Sequence, residues 1–151
     1  TYHTAIGQYG LQVTPLQAAR ATAAIANGGI LLTPTLIASS TPRGRSIPIG
    51  AYPLQVAREG MRAAVTAGTA GGVYLPDLAV AGKTGTAQVG TKNEFMNSWI
   101  IGFFPYENPR YAFAVVLERA PAGTLFGAPA VMNTFFNWMR DHATSTYSYT
   151  H

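Results

Sequence analysis

The segment Ala81–Gly90, with the sequence AGKTGTAQVG, places a lysine among threonines and glycines. Lys83 is one of only two lysines in 151 residues. A lysine ammonium in a cleft that excludes water can hold a proton network in place. Threonine hydroxyls can bind a carboxylate, and free backbone amides at a sheet edge can pair with an extended peptide or face a developing oxyanion. The alternative is that Lys83 is a solvated charge in a glycine-rich turn.

Strand periodicity orders the side chains of this segment. If it is extended, Lys83 and Gly85 lie on one face, and Thr84 and Thr86 lie on the other. Gly85 leaves the space beside the lysine empty, so another chain segment can approach closely. These residues would suit one wall of a binding cleft, and the alternative of a lysine in a glycine-rich turn stays open at this point.

Two further residues are candidate substrate contacts. Gln88 continues the same strand, and Trp99 lies on the next apolar run. Trp99 either lines a substrate groove or belongs to the core, and both interpretations stay open at this point.

The elements before this strand are predicted to be helical. Residues 14–17 (TPLQ) combine a capping threonine, a proline suited to the first turn and a glutamine at the capping-box position. Residues 27–29 (NGG) end this first helix. A second helix is predicted over Pro53–Val65. Between the helices, Ile30–Leu32 is a short extended run and Ser39–Gly50 is a loop rich in proline and glycine.

The later part of the chain predicts an antiparallel meander. A loop over Gly68–Asp77 leads to a strand over Leu78–Val89, and the apolar runs Ser98–Phe104 and Tyr111–Leu117 follow. The turn at residues 105–110 (PYENPR) joins the last two strands. Strands that are apolar on both faces need cover from both sides.

A final helix over Gly127–Arg140 is predicted to supply part of that cover. Its predicted inward face consists of Val131, Met132, Phe135, Phe136 and Met139. The segment Thr91–Asn97 is either a mobile loop or a plain hairpin connection, and His142–His151 is expected to be a frayed polar tail. The pattern predicts an α/β (α+β) sandwich with an antiparallel sheet and helices on both faces.

Composition excludes several classes of protein. Charged residues make up 11% of the chain, against a usual share of about 25%, so part of the surface is expected to meet another segment. The arginines are scattered, which argues against nucleic-acid binding. The chain contains no cysteine, and its three histidines and six carboxylates show no ligand spacing, so neither a metal nor a cofactor is expected. No apolar run reaches the roughly 18 residues of a membrane span.

The tripeptide Lys83-Thr84-Gly85 is one of three motifs shared by penicillin-binding proteins and serine β-lactamases. The flanking sequence also resembles class B, monofunctional penicillin-binding transpeptidases. The segments that carry this resemblance are residues 6–8 (IGQ), 13–17 (VTPLQ), 24–29 (AIANGG), 81–88 (AGKTGTAQ) and 99–105 (WIIGFFP), with the hairpin to residue 117. The resemblance implies that residues 1–141 are part of the sandwich fold of that family.

The other two motifs of the family are absent from these 151 residues. The residues three positions before Lys83 and Lys92 are Val80 and Val89, so there is no Ser-x-x-Lys, and no Ser-x-Asn occurs either. In the family both motifs lie upstream of the segment that opens this chain. We therefore expect the chain to be the C-terminal half of a transpeptidase domain. The upstream half would be its partner, and the chain alone would be inactive.

The resemblance also implies roles and ligands. Lys83 and Thr86 would be catalytic, with the Thr86 amide in the oxyanion hole. Thr84 and Thr86 would hold a substrate carboxylate, and Gly85 would allow close approach. The implied ligands are a peptidoglycan stem peptide and β-lactams, and a cell-wall glycosyltransferase is a further candidate partner. The natural protein would lie on the extracytoplasmic face, anchored by an N-terminal helix outside these residues.

Two alternatives remain open at this level. One is a D,D-carboxypeptidase or β-lactamase with the same fold, and the other is a non-catalytic β-lactam sensor or scaffold.

Overall fold

The structure is a computed structural model, and it describes residues 12–37 and 40–142. The expectations for residues 6–8 and 143–151 lie outside these ranges. The helices are α1 (Pro15–Ala26), α2 (Ala51–Ala67) and α3 (Ala128–His142). The strands are β1 (Ile30–Leu32), β2 (Gly44–Ser46), β3 (Ala81–Val89), β4 (Phe95–Phe104) and β5 (Tyr111–Pro121), and a 3-10 turn covers Gly71–Val73. None of the described helices is long and apolar enough to cross a membrane.

Helix α1 begins and ends as its sequence predicts. The Gln17 amide donates to the Thr14 hydroxyl at 3.2 Å, and the Thr14 amide donates to the Gln17 side chain at 2.8 Å. This reciprocal pair satisfies two backbone donors that would otherwise lack partners. The helix ends at Asn27, and Gly28 and Gly29 follow with φ of 80° and 104°. A positive φ is open to glycine because it has no Cβ.

The predicted loop over residues 39–50 contains a strand and was therefore partly wrong. Strand β2 pairs antiparallel with β1, with Leu31 opposite Arg45. The strands approach closely at Gly44, where a Cβ would lie 2.9 Å from the Ile30 side chain. The polar side chains of this stretch gave no alternation from which a strand could be predicted.

The main sheet is the predicted meander, with strand order β3-β4-β5 and antiparallel pairing throughout. Strand β3 begins at Ala81 and not at Leu78 as predicted. The intervening residues turn: the Leu78 amide donates to the Leu75 carbonyl, and Ala79 has a φ of 45°. Buried Leu78 and Val80 belong to the core, so their apolar character did not distinguish a turn from a strand.

Helix α3 covers one face of this sheet. The buried cluster on this face joins Val80, which precedes β3, and Ile100 and Phe104 of β4 to helix residues Met132 and Phe136. Phe136 meets Phe104 edge to face, with ring centroids 5.1 Å apart.

The predicted inward face of α3 was wrong for two residues. Val131 is 45% exposed and Phe135 is 48% exposed, whereas Ala128, Met132, Phe136 and Met139 are buried. The helix carries two adjacent apolar stripes, and only one of them meets the sheet.

Helix α1 meets the opposite face, and α2 contributes to both clusters, through Val65 on the α3 face and Met61 on this one. Ala81, Phe103 and their neighbours pack against Ala26 of α1 and Met61 of α2. Consecutive residues of a strand point to opposite faces, so Phe103 and Phe104 belong to separate clusters. The sheet therefore has the predicted cover from both sides.

Arg58 of α2 joins three elements on this second face. Its guanidinium donates to the carbonyl of Ala26 at the end of α1, and to the Tyr106 carbonyl in the β4–β5 turn at 2.9 Å. The rings of Phe103 and Tyr106 each lie 5.6 Å from the guanidinium carbon. This clamp fixes the end of the sheet from which β3 starts.

Candidate functional site

Strand β3 presents the candidate residues in the predicted alternation. Lys83 lies opposite Ile101 of β4, and Gly85 lies opposite Trp99. Directly paired residues share a face, so Lys83, Gly85 and Trp99 lie on the same side of the sheet. Thr84 and the following even-numbered residues of β3 face the other side.

The Lys83 side chain is exposed in the described part of the chain. Its Nζ donates a hydrogen bond of 2.6 Å to the carbonyl of the next residue, Thr84. This bond lays the ammonium along the strand. The cation therefore stands beside the backbone that would contact a bound peptide.

The Thr84 hydroxyl has a partner that the sequence did not reveal. Its Oγ1 lies 2.9 Å from Oγ1 of Thr69, which belongs to the loop after α2. Either oxygen can be the donor. Thr69 lies 15 residues earlier, in a stretch with no periodic pattern, so only the tertiary structure brings the two hydroxyls together.

Thr86 is exposed, and it lies opposite a buried polar residue, Ser98 of β4. The Ser98 hydroxyl accepts a hydrogen bond of 3.0 Å from the amide of Ala128 at the start of α3. A Cβ on Gly127 would lie 2.3 Å from that hydroxyl, so the chain passes very close. The Ser98 hydroxyl thus fixes the first turn of α3 on the face of the sheet that also carries the Thr86 side chain.

Gly85 has open space on its strand face. An added Cβ would meet only the Trp99 Cβ, at an ordinary contact distance of 3.5 Å. The described sheet therefore does not itself require glycine here. Trp99 is half-buried, which leaves both predicted roles, groove wall and core, available to it.

Gln88 is exposed and lies opposite Met96 near the end of β3. The hairpin that follows spans Gly90–Glu94, with left-handed backbone at Gly90 and Asn93. Of the two predictions for residues 91–97, the structure shows the hairpin connection, since β4 begins at Phe95.

Glu94 holds this hairpin together. Hydrogen bonds from its own backbone amide and from the Lys92 amide lower the pKa of the carboxyl, and Arg119 adds a smaller effect in the same direction. The Lys92 amide donates to the carboxylate at 2.8 Å. The charged Glu94 carboxylate thus stabilises the hairpin by accepting backbone hydrogen bonds.

Among the described residues β4 is the one strand partner of β3, and α2 packs against the start of β3, so its outer edge is accessible from Lys83 onward. An extended peptide can therefore pair with β3 as an additional strand, beside a cation and two hydroxyls. Within residues 12–37 and 40–142, no group of three or more side chains is arranged to hold a metal ion. The arrangement can bind and orient an anionic peptide.

Comparison with known proteins identifies the class to which this fold and site belong. Residues 1–137 match the family model described as the penicillin binding protein transpeptidase domain. The chain belongs to this family. The resemblance to its class B type, drawn from the sequence, is confirmed.

Several curated relatives are similar to this chain. Stage V sporulation protein D of Bacillus subtilis is 31% identical, across 91% of this chain and 24% of the relative. The peptidoglycan D,D-transpeptidase MrdA of Haemophilus influenzae is also 31% identical, across 91% of this chain and 26% of the relative. The peptidoglycan D,D-transpeptidase PbpA of Mycobacterium tuberculosis is 35% identical, across 77% of this chain and 26% of the relative. The chain spans about a quarter of the length of these relatives.

Solved structures agree with this assignment. The imipenem acyl-enzyme complex of penicillin-binding protein A from M. tuberculosis superposes with a TM-score of 0.75 at 28% identity. The match covers 89% of this chain and 32% of that one. A D,D-transpeptidase domain from Eggerthella lenta gives a TM-score of 0.71 at 27% identity, across 87% of this chain and 33% of that one. The predicted α/β sandwich fold is confirmed.

Proposed function

We propose that this chain forms one wall of the active site of a peptidoglycan D,D-transpeptidase, and that it is the C-terminal half of the catalytic domain. The observation that carries the proposal is the edge of β3 from Lys83 onward, which no described strand pairs with and along which a cation on one face is followed by the hydroxyls of Thr84 and Thr86 on the other. Relatives that bear the name peptidoglycan D,D-transpeptidase support the reaction. Neighbours solved as acyl-enzyme complexes with imipenem and penicillin G support β-lactam binding.

In the proposed reaction a serine outside these 151 residues attacks the penultimate D-alanine carbonyl of a stem peptide. The peptide bond breaks, and the terminal D-alanine leaves with a proton on its amine. A second stem peptide's amine then attacks the acyl-enzyme ester, which forms the cross-link and returns the serine. A β-lactam acylates the same serine through its ring carbonyl.

Each residue of β3 has a proposed part in that reaction. Lys83 holds the hydrogen-bond network around the nucleophile. Its exposed ammonium supports this because, within the described residues, one of its three N–H donors bonds to the Thr84 carbonyl and the others can face a second wall. Thr84 and Thr86 bind the substrate carboxylate, and the Thr86 amide donates to the developing oxyanion. Gly85 lets the peptide approach, and Gln88 and Trp99 border the groove.

Exposed apolar side chains support the proposed second half of the domain. Leu125 is 92% exposed and Phe126 is 77% exposed in the connection before α3, and Trp138 of α3 is 54% exposed. Large apolar patches on a protein surface mark places where another chain or segment packs. We propose that the upstream half, with the serine motifs, is that partner.

Location and further partners follow from the same proposal. Stem peptides lie outside the cytoplasm, so the protein is proposed to act on the extracytoplasmic face of the cell membrane, held there by an N-terminal helix. A glycosyltransferase that supplies new glycan strands is the proposed protein partner.

The proposal is tested by Lys83→Ala in the complete protein that carries this chain. General acid–base and positioning groups contribute factors of about 10² to 10⁴, so labelling by a fluorescent penicillin is expected to slow by at least about 10²-fold. Lys92→Ala, at the exposed hairpin, is the matched control and is expected to label at the wild-type rate. The melting temperature of both variants is expected to stay at the wild-type value.

Normal acylation of Lys83→Ala would leave this lysine with only a surface role and would refute the proposed mechanism. Rapid turnover of penicillin by the wild-type protein, without a long-lived acyl-enzyme, would instead indicate a β-lactamase. Labelling of the 151-residue chain by itself would show that the nucleophile is not upstream.

A further inference from the structure

The loop between α2 and the 3-10 turn places one hydroxyl against β3. Thr69 Oγ1 lies 2.9 Å from Thr84 Oγ1, and it is the contact through which this loop reaches the side chain of a proposed carboxylate-binding residue. Thr69 is exposed, so its hydroxyl is not required to fill the core. The contact is therefore a candidate for a role in ligand binding and not in core packing.

The backbone on either side of Thr69 is held firmly in place. A Cβ on Gly68 would lie 3.0 Å from the Ala64 Cα, so the chain passes close against the end of α2. Ala70 is fully buried, and its amide donates to the Ala64 carbonyl at 2.9 Å. Because both neighbours are fixed, Thr69 presents its hydroxyl at a defined point beside β3.

Thr84 is held at two separate atoms as a result. Its carbonyl accepts from the Lys83 ammonium at 2.6 Å, and its hydroxyl meets Thr69. Within residues 12–37 and 40–142, the hydroxyl of Thr86, the other proposed carboxylate ligand, has no such partner. The two threonines of the motif are therefore supported differently.

We propose that Thr69 is a positioning residue that sets the direction of the Thr84 hydroxyl for a bound carboxylate. A hydroxyl has one hydrogen and two lone pairs. When the Thr69 hydroxyl donates to Thr84, the Thr84 hydrogen is free to donate to the ligand. The chain of hydrogen bonds then runs from Thr69 through Thr84 to the carboxylate, and each bond polarises the next. This inference rests on the proposed function, in which Thr84 binds an anionic substrate or β-lactam.

The expected effect is selective for the charged ligand. Hydrogen bonds to an ionised acceptor are about twice as strong as those between neutral groups, so loss of the orienting bond affects a carboxylate more than an ester. Loss of one neutral hydrogen bond corresponds to a change of roughly two- to tenfold. Thr69→Val, which keeps the side-chain shape, is expected to slow acylation by penicillin by that factor.

The experiment measures the second-order acylation rate of the complete protein with penicillin G and with its methyl ester. Thr69→Val is expected to lower the ratio of acid rate to ester rate, and Thr69→Ser is expected to restore it because serine keeps the hydroxyl. Thr66→Val is the matched control, since the Thr66 hydroxyl contacts only carbonyls of its own helix, at 3.3 and 3.4 Å. Its acid-to-ester ratio is expected to equal that of the wild type.

Three results would overturn the inference. The first is a wild-type ratio in Thr69→Val, and the second is a Thr69→Ser variant that behaves like the valine variant. The third is an equal loss with acid and ester together with a lower melting temperature, which would give Thr69 a purely structural role. Each of these leaves the proposed function intact, whereas a wild-type protein that penicillin does not acylate would refute the proposed function itself.

Discussion

Replacement of Gly102 by alanine tests how tightly β4 is packed inside the sheet. Gly102 is buried near the end of β4, the central strand of the sheet, opposite Gly82 of β3 and Phe113 of β5. An alanine Cβ would lie 2.4 Å from the Ala81 carbonyl oxygen and 2.5 Å from the Phe113 ring. Neither contact is possible without movement, and the first partner is backbone, so β3 has to shift.

The size of the effect follows from this geometry. Overpacking of a core costs typically about 1–3 kcal/mol, and a shift of backbone places Gly102→Ala at the upper end of that range. For a domain of 150–250 residues, 1 kcal/mol lowers the melting temperature by roughly 2–4 °C, so a loss of roughly 6–12 °C is expected. Since Gly82 is next to Lys83, slower acylation by penicillin is expected as well.

Thermal denaturation followed by circular dichroism provides the measurement, and Gly60→Ala is the matched control. Gly60 lies on the exposed side of α2, and an added Cβ there meets no atom within 4 Å. Alanine in a helix interior is more stable than glycine by about 0.5–1 kcal/mol, so the control is expected to melt at or above the wild-type temperature. A Gly102→Ala variant with the same melting temperature as the wild type would refute the packing argument.

Two further predictions concern polar groups near the site. Ser98→Ala removes the acceptor of the Ala128 amide and is expected to destabilise the fold by about 1–3 kcal/mol in urea unfolding, whereas Thr134→Ala on the exposed side of α3 is expected to change it by less than about 0.5 kcal/mol. A Ser98→Ala variant with the wild-type free energy of unfolding would contradict the role of that hydroxyl. Backbone hydrogen bonds lower the pKa of Glu94, so its charged form contributes stability above the ordinary value of 4.5, and this contribution is lost as pH falls through the lowered pKa. Glu94→Gln is expected to flatten the acid dependence of the melting temperature below pH 4.5, and an identical dependence would count against this reasoning.

Local signals predicted the elements whose ends are encoded in a few residues. The capping box at Thr14 and Gln17 and the glycines after Asn27 set the limits of α1 correctly. The turn residues after Phe104 and the apolar runs around them predicted the meander. In these places the sequence and the fold agree because capping and turn formation depend on near neighbours.

Features that depend on tertiary packing were harder to predict. The predicted buried face of α3 was wrong at Val131 and Phe135, because both apolar stripes of the helix satisfy helical periodicity. The alternation of Lys83 on β3 was predictable from the strand period, whereas the contact between Thr69 and Thr84 was not. That contact depends on where the end of α2 lies relative to the sheet, which no local pattern specifies.

The contacts of Arg58 tie the end of α1 and the β4–β5 turn to α2 at one end of the sheet. Near that end, the Tyr106 amide also donates to the Ala79 carbonyl at 2.9 Å, so the β4–β5 turn and the start of β3 move together. Lys83 lies two residues from this end of β3. The position of the proposed catalytic cation therefore depends on contacts of the β4–β5 turn, which lies outside the strand that carries it.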